Sequence, residues 1–211
     1  MIAAQSLQSA QLRLARHYLN RLRTVNEIYQ RGSQQVADAL GQLDADWLQV
    51  RQWQAWSADK STSDAERQRL CANYVLSHFP ILRVRLSNGE LVTWLQQALL
   101  AAENLGDAAS ERELLSLLLI AFQEVGSQEP VLEMGNQLLE KSRAARDRLN
   151  QGRAFNAFAN VHVARGQHDL AEKYLQKSLK YLRKAGDGID LARALNQSAN
   201  LALFRGDYTR S

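Results

Sequence analysis

The chain has 211 residues, of which 45% are hydrophobic and 23% charged, a composition typical of a folded globular protein rather than a disordered one. The net charge is +4, but residues 107–150 carry five basic and eight acidic side chains, whereas residues 151–211 carry ten basic and five acidic. This alternation of sign argues against one continuous nucleic-acid-binding surface. Because no apolar run approaches about 18 residues and Cys71 has no cysteine partner, we expect a cytoplasmic protein without a membrane span.

Residues 1–60 predict helices without any internal repeat. The stretch ARHYLNRLRTVNEIYQRG at 15–32 places apolar side chains at helical spacing on one side. These side chains are Tyr18, Leu19, Leu22, Val25, Ile28 and Tyr29. One or two more helices follow, and their tryptophans, interpreted as core residues rather than an exposed recognition patch, are Trp47, Trp53 and Trp56.

A linker, DKSTSDAE at 59–66, separates this segment from residues 64–211. Within it, Ser63 or Asp64 is expected to cap the next helix. That helix carries Cys71 among apolar neighbours at helical spacing. We therefore interpret the cysteine as a buried packing residue rather than a nucleophile.

A period of 40 residues is visible in the second part of the chain. The residues spaced by this period are Asp107, Asp147 and Asp187, and also Gly126, Gly166 and Gly206. RAFNAFAN at 153–160 recurs as RALNQSAN at 193–200. We divide the region into repeats at about 66–106, 107–147 and 148–187, with an incomplete repeat at 188–211.

Each repeat predicts two helices, A and B, joined by a tight turn. In the third repeat, the positions that recur at helical spacing are Phe155, Phe158, Ala159 and His162 in helix A, and Leu170, Ala171, Tyr174, Leu175, Ser178, Leu179 and Leu182 in helix B. Gly166 is expected to end helix A in a left-handed conformation. Asp169 is expected near the start of helix B, where its charge suits the helix dipole.

The sequence AFANVHVARGQHDLAEKYLQKSLKYLRKAGD resembles a tetratricopeptide repeat of the longer kind, as in kinesin light chain and in bacterial signalling ATPases of the NB-ARC (STAND) type. The motif's small residues fall at Ala159, Gly166, Ala171 and Ser178. The match is good over 152–187 and 192–211, moderate over 109–147, and weak over 66–106. The resemblance implies an all-α fold, a right-handed α-α superhelix forming a tetratricopeptide-like solenoid. It also implies a protein- or peptide-binding scaffold, not an enzyme, with no cofactor.

Residues 1–60, with an Asp-x-Asp-Trp and a Trp-x-x-Trp element, resemble the helical segment that joins the ATPase module to the repeats in NB-ARC proteins. The chain has no G-x-x-x-x-G-K-[ST] phosphate loop, so the ATPase itself is absent from it. The resemblance therefore implies the sensor or scaffold portion of a bacterial signalling protein.

The recurring arginines and asparagines are the candidate binding residues. They lie at i, i+3 and i+7 of two successive A helices, so that each triplet shares one helix face. The triplets are Arg153, Asn156 and Asn160, and Arg193, Asn196 and Asn200. The earlier repeat has Glu113, Ser116 and Ile120 at the same phase.

Amides can donate to and accept from the backbone of an extended peptide, and arginine offers a fork for a carboxylate or phosphate. The resemblance implies that A helices line a concave groove, with an apolar floor formed by Val163, Ala164, Leu203 and Phe204. Two alternatives remain open: the polar side chains bond neighbouring helices, or they are carried by descent without a role.

Other features have simpler interpretations. A metal site at His162, His168 and Asp169 is disfavoured because no metal-ligand spacing is present. Instead, His162 is expected to pack between helices and His168 to lie in the turn. The lysines on one face of a B helix, interpreted as a solvated surface, are Lys173, Lys177, Lys180 and Lys184.

Two alternative functions remain consistent with the sequence. A basic helical repeat that binds nucleic acid is favoured by the charge of 151–211 and disfavoured by the lack of groove aromatics. A self-association module would pair the last helix with another copy, because that helix has an apolar face at Leu195, Ala199, Ala202 and Leu203. Since the sequence ends part-way into a repeat, we expect either a fragment or another element covering this face.

Overall fold

A computed structural model describes residues 2–32, 35–59 and 63–205, and the side chains of 6–32, 35–59 and 63–203. Over these ranges the chain forms ten α-helices and no β-strand. They are α1 (Ile2–Arg31), α2 (Gln35–Ser57), α3 (Ala65–Leu76), α4 (Phe79–Arg85), α5 (Asn88–Leu105), α6 (Ala108–Val125), α7 (Gln128–Ala144), α8 (Arg148–Ala164), α9 (His168–Ala185) and α10 (Gly188–Arg205). The predicted all-α, tetratricopeptide-like class is confirmed.

The helices follow the 40-residue period. The A helices α6, α8 and α10 begin at residues 108, 148 and 188, and the B helices α5, α7 and α9 begin at 88, 128 and 168. The region before α5 departs from this pattern, because α3 ends at Leu76 and α4 begins at Phe79. Pro80 explains the break, since a proline ring inside a helix clashes with the carbonyl four residues earlier, here that of Leu76.

The turns from α5 to α10 share one backbone feature. A residue with positive φ follows each helix, at intervals of 20 residues. These residues and their φ angles are Gly106 (64°), Gly126 (77°), Arg146 (55°), Gly166 (69°) and Gly186 (76°). The left-handed stop predicted at Gly166 is therefore confirmed, and the same stop occurs at Arg146 without a glycine.

Residues 1–114 form the first of two compact units. In it, α1 packs against α2, α3 and α4, and its residues Leu19, Leu22 and Val25 are buried as predicted. The Tyr74 hydroxyl of α3 donates a hydrogen bond to the Ala15 carbonyl of α1 at 2.8 Å. The division at residue 60 stays a prediction, since α1 and α2 both pack with α3.

Several polar and aromatic residues of this unit have structural roles. Asp64 caps α3 by accepting a hydrogen bond from the Glu66 amide at 2.8 Å, which confirms one of the two predicted caps. Trp53 is 8% exposed, and Trp47 stacks on Trp94 with ring centroids 6.1 Å apart. Cys71 is fully buried, and burial raises its pKa to about 12, so the thiol is a packing group as predicted.

Residues 115–211 form the second unit, in which α8 packs against α7 and α9, and α10 packs against α9 and α8. A Cβ added to Gly152 would lie 2.7 Å from the Leu182 side chain, so α8 and α9 approach closely there. The Ser178 hydroxyl donates to the Gly152 carbonyl at 2.9 Å. Ala159 and Ala171 are fully buried in one cluster, as expected for the small positions of the repeat.

We predict that His78 makes the first unit less stable in acid. The ring is fully buried, its Nδ1 lies 3.1 Å from the Asn73 carbonyl oxygen, and burial lowers its pKa from 6.5 to about 4. The unfolded chain therefore binds this proton first, and stability is lost as pH falls from about 6.5 towards 4. At pH 4.5 the loss should be about 2–3 kcal/mol.

Urea unfolding at pH 7 and pH 4.5 measures this loss, with His78→Gln as the comparison. Because carboxylates also titrate in this range, the informative quantity is the difference between the two proteins. The variant should lose less stability on acidification than the parent chain. An equal loss in both would show that another group is responsible.

A second prediction concerns the left-handed turn at Arg146. A side chain in this conformation costs roughly 1–2 kcal/mol, and the Arg146 side chain is exposed. After the greater entropy loss of glycine is subtracted, Arg146→Gly should stabilise the chain by about 0.5–1 kcal/mol. Gly166→Ala, at an equivalent turn, should destabilise it by a similar amount, and thermal unfolding compares the two. A destabilising Arg146→Gly would contradict this account.

Candidate functional site

Arg153 of α8 lies between two neighbouring A helices in the second unit. Its Nε donates to Asp190 Oδ2 of α10 at 2.6 Å, and its Nη1 lies 3.3 Å from Ser116 Oγ of α6. The same Nη1 is 3.2 Å from Asn150 Oδ1, one turn earlier on α8. The arginine therefore links three successive A helices.

Asp190 holds two arginines at once. Its Oδ1 accepts a hydrogen bond from Arg193 Nη1 at 2.7 Å while Oδ2 accepts from Arg153. The carboxylate is 10% exposed, compared with 24% for the Arg153 side chain and 53% for that of Arg193. Partial burial and a second positive partner make this pair stronger than an ordinary surface ion pair.

Aspartates at the helix starts set the position of these groups. Asp147 Oδ1 accepts from the Asn150 amide at 3.1 Å, and Asp187 Oδ1 accepts from the Asp190 amide at 2.8 Å. Asp107 accepts from the Ser110 amide in the same way, at 3.1 Å. The 40-residue aspartate series thus caps α6, α8 and α10, which fixes the rotation at which each A helix begins.

The four asparagines behave differently from Arg153. Asn196 and Asn200 are exposed and Asn160 is half-buried, and none of them makes a side-chain hydrogen bond to another described residue. Asn156 is also half-buried, and its Oδ1 is shielded from solvent without a hydrogen-bond partner. The exposed amides of Asn196 and Asn200 therefore retain the capacity to donate and accept that a peptide backbone requires, whereas the Oδ1 of Asn156 is shielded from a bound peptide as it is from solvent.

The apolar residues predicted beside them are only partly available. Val163 is half-buried against the cluster that contains Ala159 and Leu201, while Ala164 is exposed. Leu203 is 49% exposed. The side chain of Phe204 lies outside the described residues, so its part in the predicted site stays a prediction.

The geometry separates the predicted triplets into two groups. Arg153 bonds neighbouring helices, as in the inter-repeat alternative, whereas the asparagines do not. Sequence reasoning missed Asp190 and Ser116 as its partners. Ser116 and Arg153, and likewise Arg153 and Asp190, are separated by 37 residues. This separation is one repeat less about one helical turn, and it was the sequence signal that could have revealed these partners.

The aromatic residues between α8 and α9 form a packed group. The His162 ring stacks on Tyr174 with centroids 5.2 Å apart, and its Nδ1 lies 2.6 Å from Gln167 Oε1. Packing between helices, as predicted for His162, is confirmed. Across the described ranges, no three His, Cys, Asp or Glu residues are arranged to hold a metal ion.

Comparison with known proteins supports the repeat assignment over part of the chain. The family model for the tetratricopeptide repeat matches residues 150–211, the segment that contains both Arg/Asn triplets. Repeats of this type generally serve as non-enzymatic scaffolds for protein or peptide partners. No curated protein matches the chain with significant similarity. None of the described helices is long and apolar enough to cross a membrane.

We predict that the Arg153–Asp190 pair stabilises the second unit. Asp190→Asn keeps the side-chain shape but removes the charge from two hydrogen bonds, so the free energy of unfolding should fall by about 1–3 kcal/mol. A double-mutant cycle with Arg153→Gln should give a coupling energy of about 1 kcal/mol or more.

The control is the exposed pair between Arg165 and Glu129, whose atoms lie 3.2 Å apart. Glu129 is 84% exposed, so Glu129→Gln should change stability by less than about 0.5 kcal/mol. Equal effects of the two substitutions would show that Arg153 has no special structural role.

Proposed function

We propose that this chain is a protein- or peptide-binding scaffold whose partner surface is formed by α8 and α10. The observation that carries the proposal is the set of unpaired amides on these helices, within the segment that matches the tetratricopeptide repeat. The residues proposed to form this surface, with Arg153 supporting it from beneath, are Arg153, Asn156, Asn160, Val163, Arg193, Asn196, Asn200, Leu203 and Phe204. An extended peptide would bind through its backbone to the asparagines, so recognition would depend weakly on its sequence.

The two arginines have different roles in this proposal. Arg153 is committed to Asp190 and Ser116, so it orients the A helices beneath the surface. Arg193 bonds Asp190 through Nη1, and about half of its side chain is exposed. It can therefore contribute a further donor to a bound segment.

We also propose that the chain is the sensor or scaffold portion of a bacterial, cytoplasmic NB-ARC (STAND) signalling protein. The support is the resemblance of residues 1–60, which contribute α1 and α2, to the segment between ATPase module and repeats. The first step of the test is to determine whether the open reading frame of this chain, or a neighbouring gene, encodes an NB-ARC ATPase. Deletion of this region from an NB-ARC ATPase encoded there should change its ATP hydrolysis rate, and an unchanged rate would contradict the assignment.

The groove hypothesis predicts a specific loss of binding. Random 12-residue peptides displayed on phage would be selected on the full chain, and the affinity of enriched peptides measured by fluorescence anisotropy. Asn156→Ala with Asn196→Ala should raise the dissociation constant at least about fivefold, because two backbone hydrogen bonds are lost. Thermal stability should change little, since neither amide bonds another described residue.

The matched control replaces two asparagines that lie on B helices, Asn104→Ala with Asn136→Ala. Both are exposed and equally unpaired within the described residues. This variant should bind the selected peptides as the parent chain does. Failure to enrich any peptide, or equal affinity in both double variants, would contradict binding at this surface.

A further inference from the structure

Four helix ends lie together on one side of the second unit. The Gln151 side chain of α8 donates a hydrogen bond to the Ser142 carbonyl of α7 at 3.1 Å, so the start of α8 meets the end of α7. A Cβ added to Gly152 would lie 2.7 Å from the Leu182 side chain, which brings the end of α9 to the same place. The ion pair between α8 and α10 described above adds the start of α10.

This side of the unit, formed by residues 141–153 and 183–193 and called the basic end below, carries eight basic and three acidic residues. The acidic side chains are all engaged locally, since Asp147 and Asp187 cap α8 and α10 and Asp190 bonds two arginines. The exposed basic side chains that make no ion pair with another described residue are Arg143, Arg146, Arg148, Arg183 and Lys184. The basic end therefore presents positive charge that the second unit does not neutralise.

The positive charge is confined to the turns between α7 and α8 and between α9 and α10. One turn before the ends of their helices, Glu140 of α7 and Lys180 of α9 occupy equivalent positions, so their charges offset each other. The turn between α5 and α6 belongs to the first unit and carries Glu103 and Asp107 in place of basic residues. A partner that recognises the basic end thus contacts the two turns of the second unit.

Arg146 occupies a turn position at which the rest of the series has glycine. Its φ of 55° is the left-handed conformation that glycine adopts in the four other turns between α5 and α10. A side chain in this conformation destabilises the fold, and such strain tends to be retained where the side chain has a function. Because the Arg146 side chain is exposed and bonds no other described residue, packing does not explain its presence. A ligand of the basic end would explain it.

An apolar side chain is also exposed at the basic end. Ile189, in the first turn of α10, is 75% exposed. The segments 141–153 and 183–193 contain no aromatic residue on which a nucleic-acid base could stack. A nucleic acid would place Ile189 against sugar and phosphate, whereas the interface of a bilayer accepts an apolar side chain beside the headgroups that basic residues bind.

We propose that the basic end docks on an anionic lipid bilayer, with its five unpaired basic side chains at the headgroup phosphates and Ile189 in the interface. Each basic side chain near such a surface strengthens binding about fivefold, and a single isoleucine is too small to anchor the chain by itself. Binding should therefore be reversible, dependent on anionic lipid and weakened by salt. The proposed asparagine surface lies further along α8 and α10, so this docking is separate from the proposed function.

Cosedimentation of the full chain with vesicles tests the proposal, using phosphatidylcholine alone or with about 30% phosphatidylglycerol. The chain should bind the anionic vesicles in about 100 mM salt and dissociate from them in about 500 mM salt. Arg143→Gln with Arg183→Gln should weaken binding at least about tenfold. The matched control, Lys173→Gln with Lys177→Gln, removes the same charge from exposed positions outside the basic end and should weaken binding less than about threefold.

Two further variants separate lipid binding from folding and from nucleic-acid binding. Arg146→Gly should raise the melting temperature, as predicted above, and yet weaken vesicle binding about fivefold. Because this variant is more stable than the parent chain, unfolding cannot account for the loss. Ile189→Ser should weaken vesicle binding at least about threefold, because the apolar contact with the interface is lost.

The proposal is overturned if the chain does not bind anionic vesicles, or if it binds phosphatidylcholine alone equally well. Unchanged vesicle binding by Arg146→Gly would also overturn it. A single-stranded DNA of about 20 nucleotides serves as the competing ligand. If this DNA displaces the chain from vesicles and Ile189→Ser has no effect on vesicle binding, the basic end is a nucleic-acid surface instead.

Discussion

The repeat architecture depends on the left-handed residue that ends each helix from α5 to α9. One such residue every 20 positions gives successive helices the same length and turns the chain back at the same point. Equal helix lengths then bring equivalent side chains to equivalent places, so that the small residues at 159 and 171 meet within a hairpin. The buried clusters between α8, α9 and α10 follow from this constraint.

The left-handed turns fix the length of each helix, and the aspartate caps also fix the rotation at which each A helix begins. Because the Asp147 and Asp187 side chains hold the first turns of α8 and α10, Arg153 and Asp190 emerge at defined angles. Because Arg153 and Asp190 form an ion pair between α8 and α10, the positive charge of Arg153 is not free to bind a ligand. The asparagines of the same triplets lie further along each helix, beyond this pair, and remain unpaired. The repeated Arg/Asn spacing within the chain thus supplies both a structural group and a candidate binding group.

Much of the fold could be predicted because its determinants are local and periodic. Gly166, the Asp64 cap and the small residues Ala159 and Ala171 each act within one turn or one hairpin. Arg146 was not predicted as a left-handed residue, since arginine carries no signal for that conformation. Asp190 was also missed, because its burial between two arginines depends on how far α10 is offset from α8. The unpaired state of the asparagines likewise required knowledge of their neighbours.

The contacts of Arg153 also bear on how the second unit opens. If stability were divided repeat by repeat, α10 could unfold and leave α6 and α8 unaffected. Arg153 instead shares its guanidinium between Ser116 and Asp190, so loss of α10 leaves a partly buried cation with fewer acceptors. Local unfolding of α10 is thereby transmitted to α8, two elements away. The A helices of this unit should accordingly exchange their amide hydrogens as one cooperative group rather than one helix at a time.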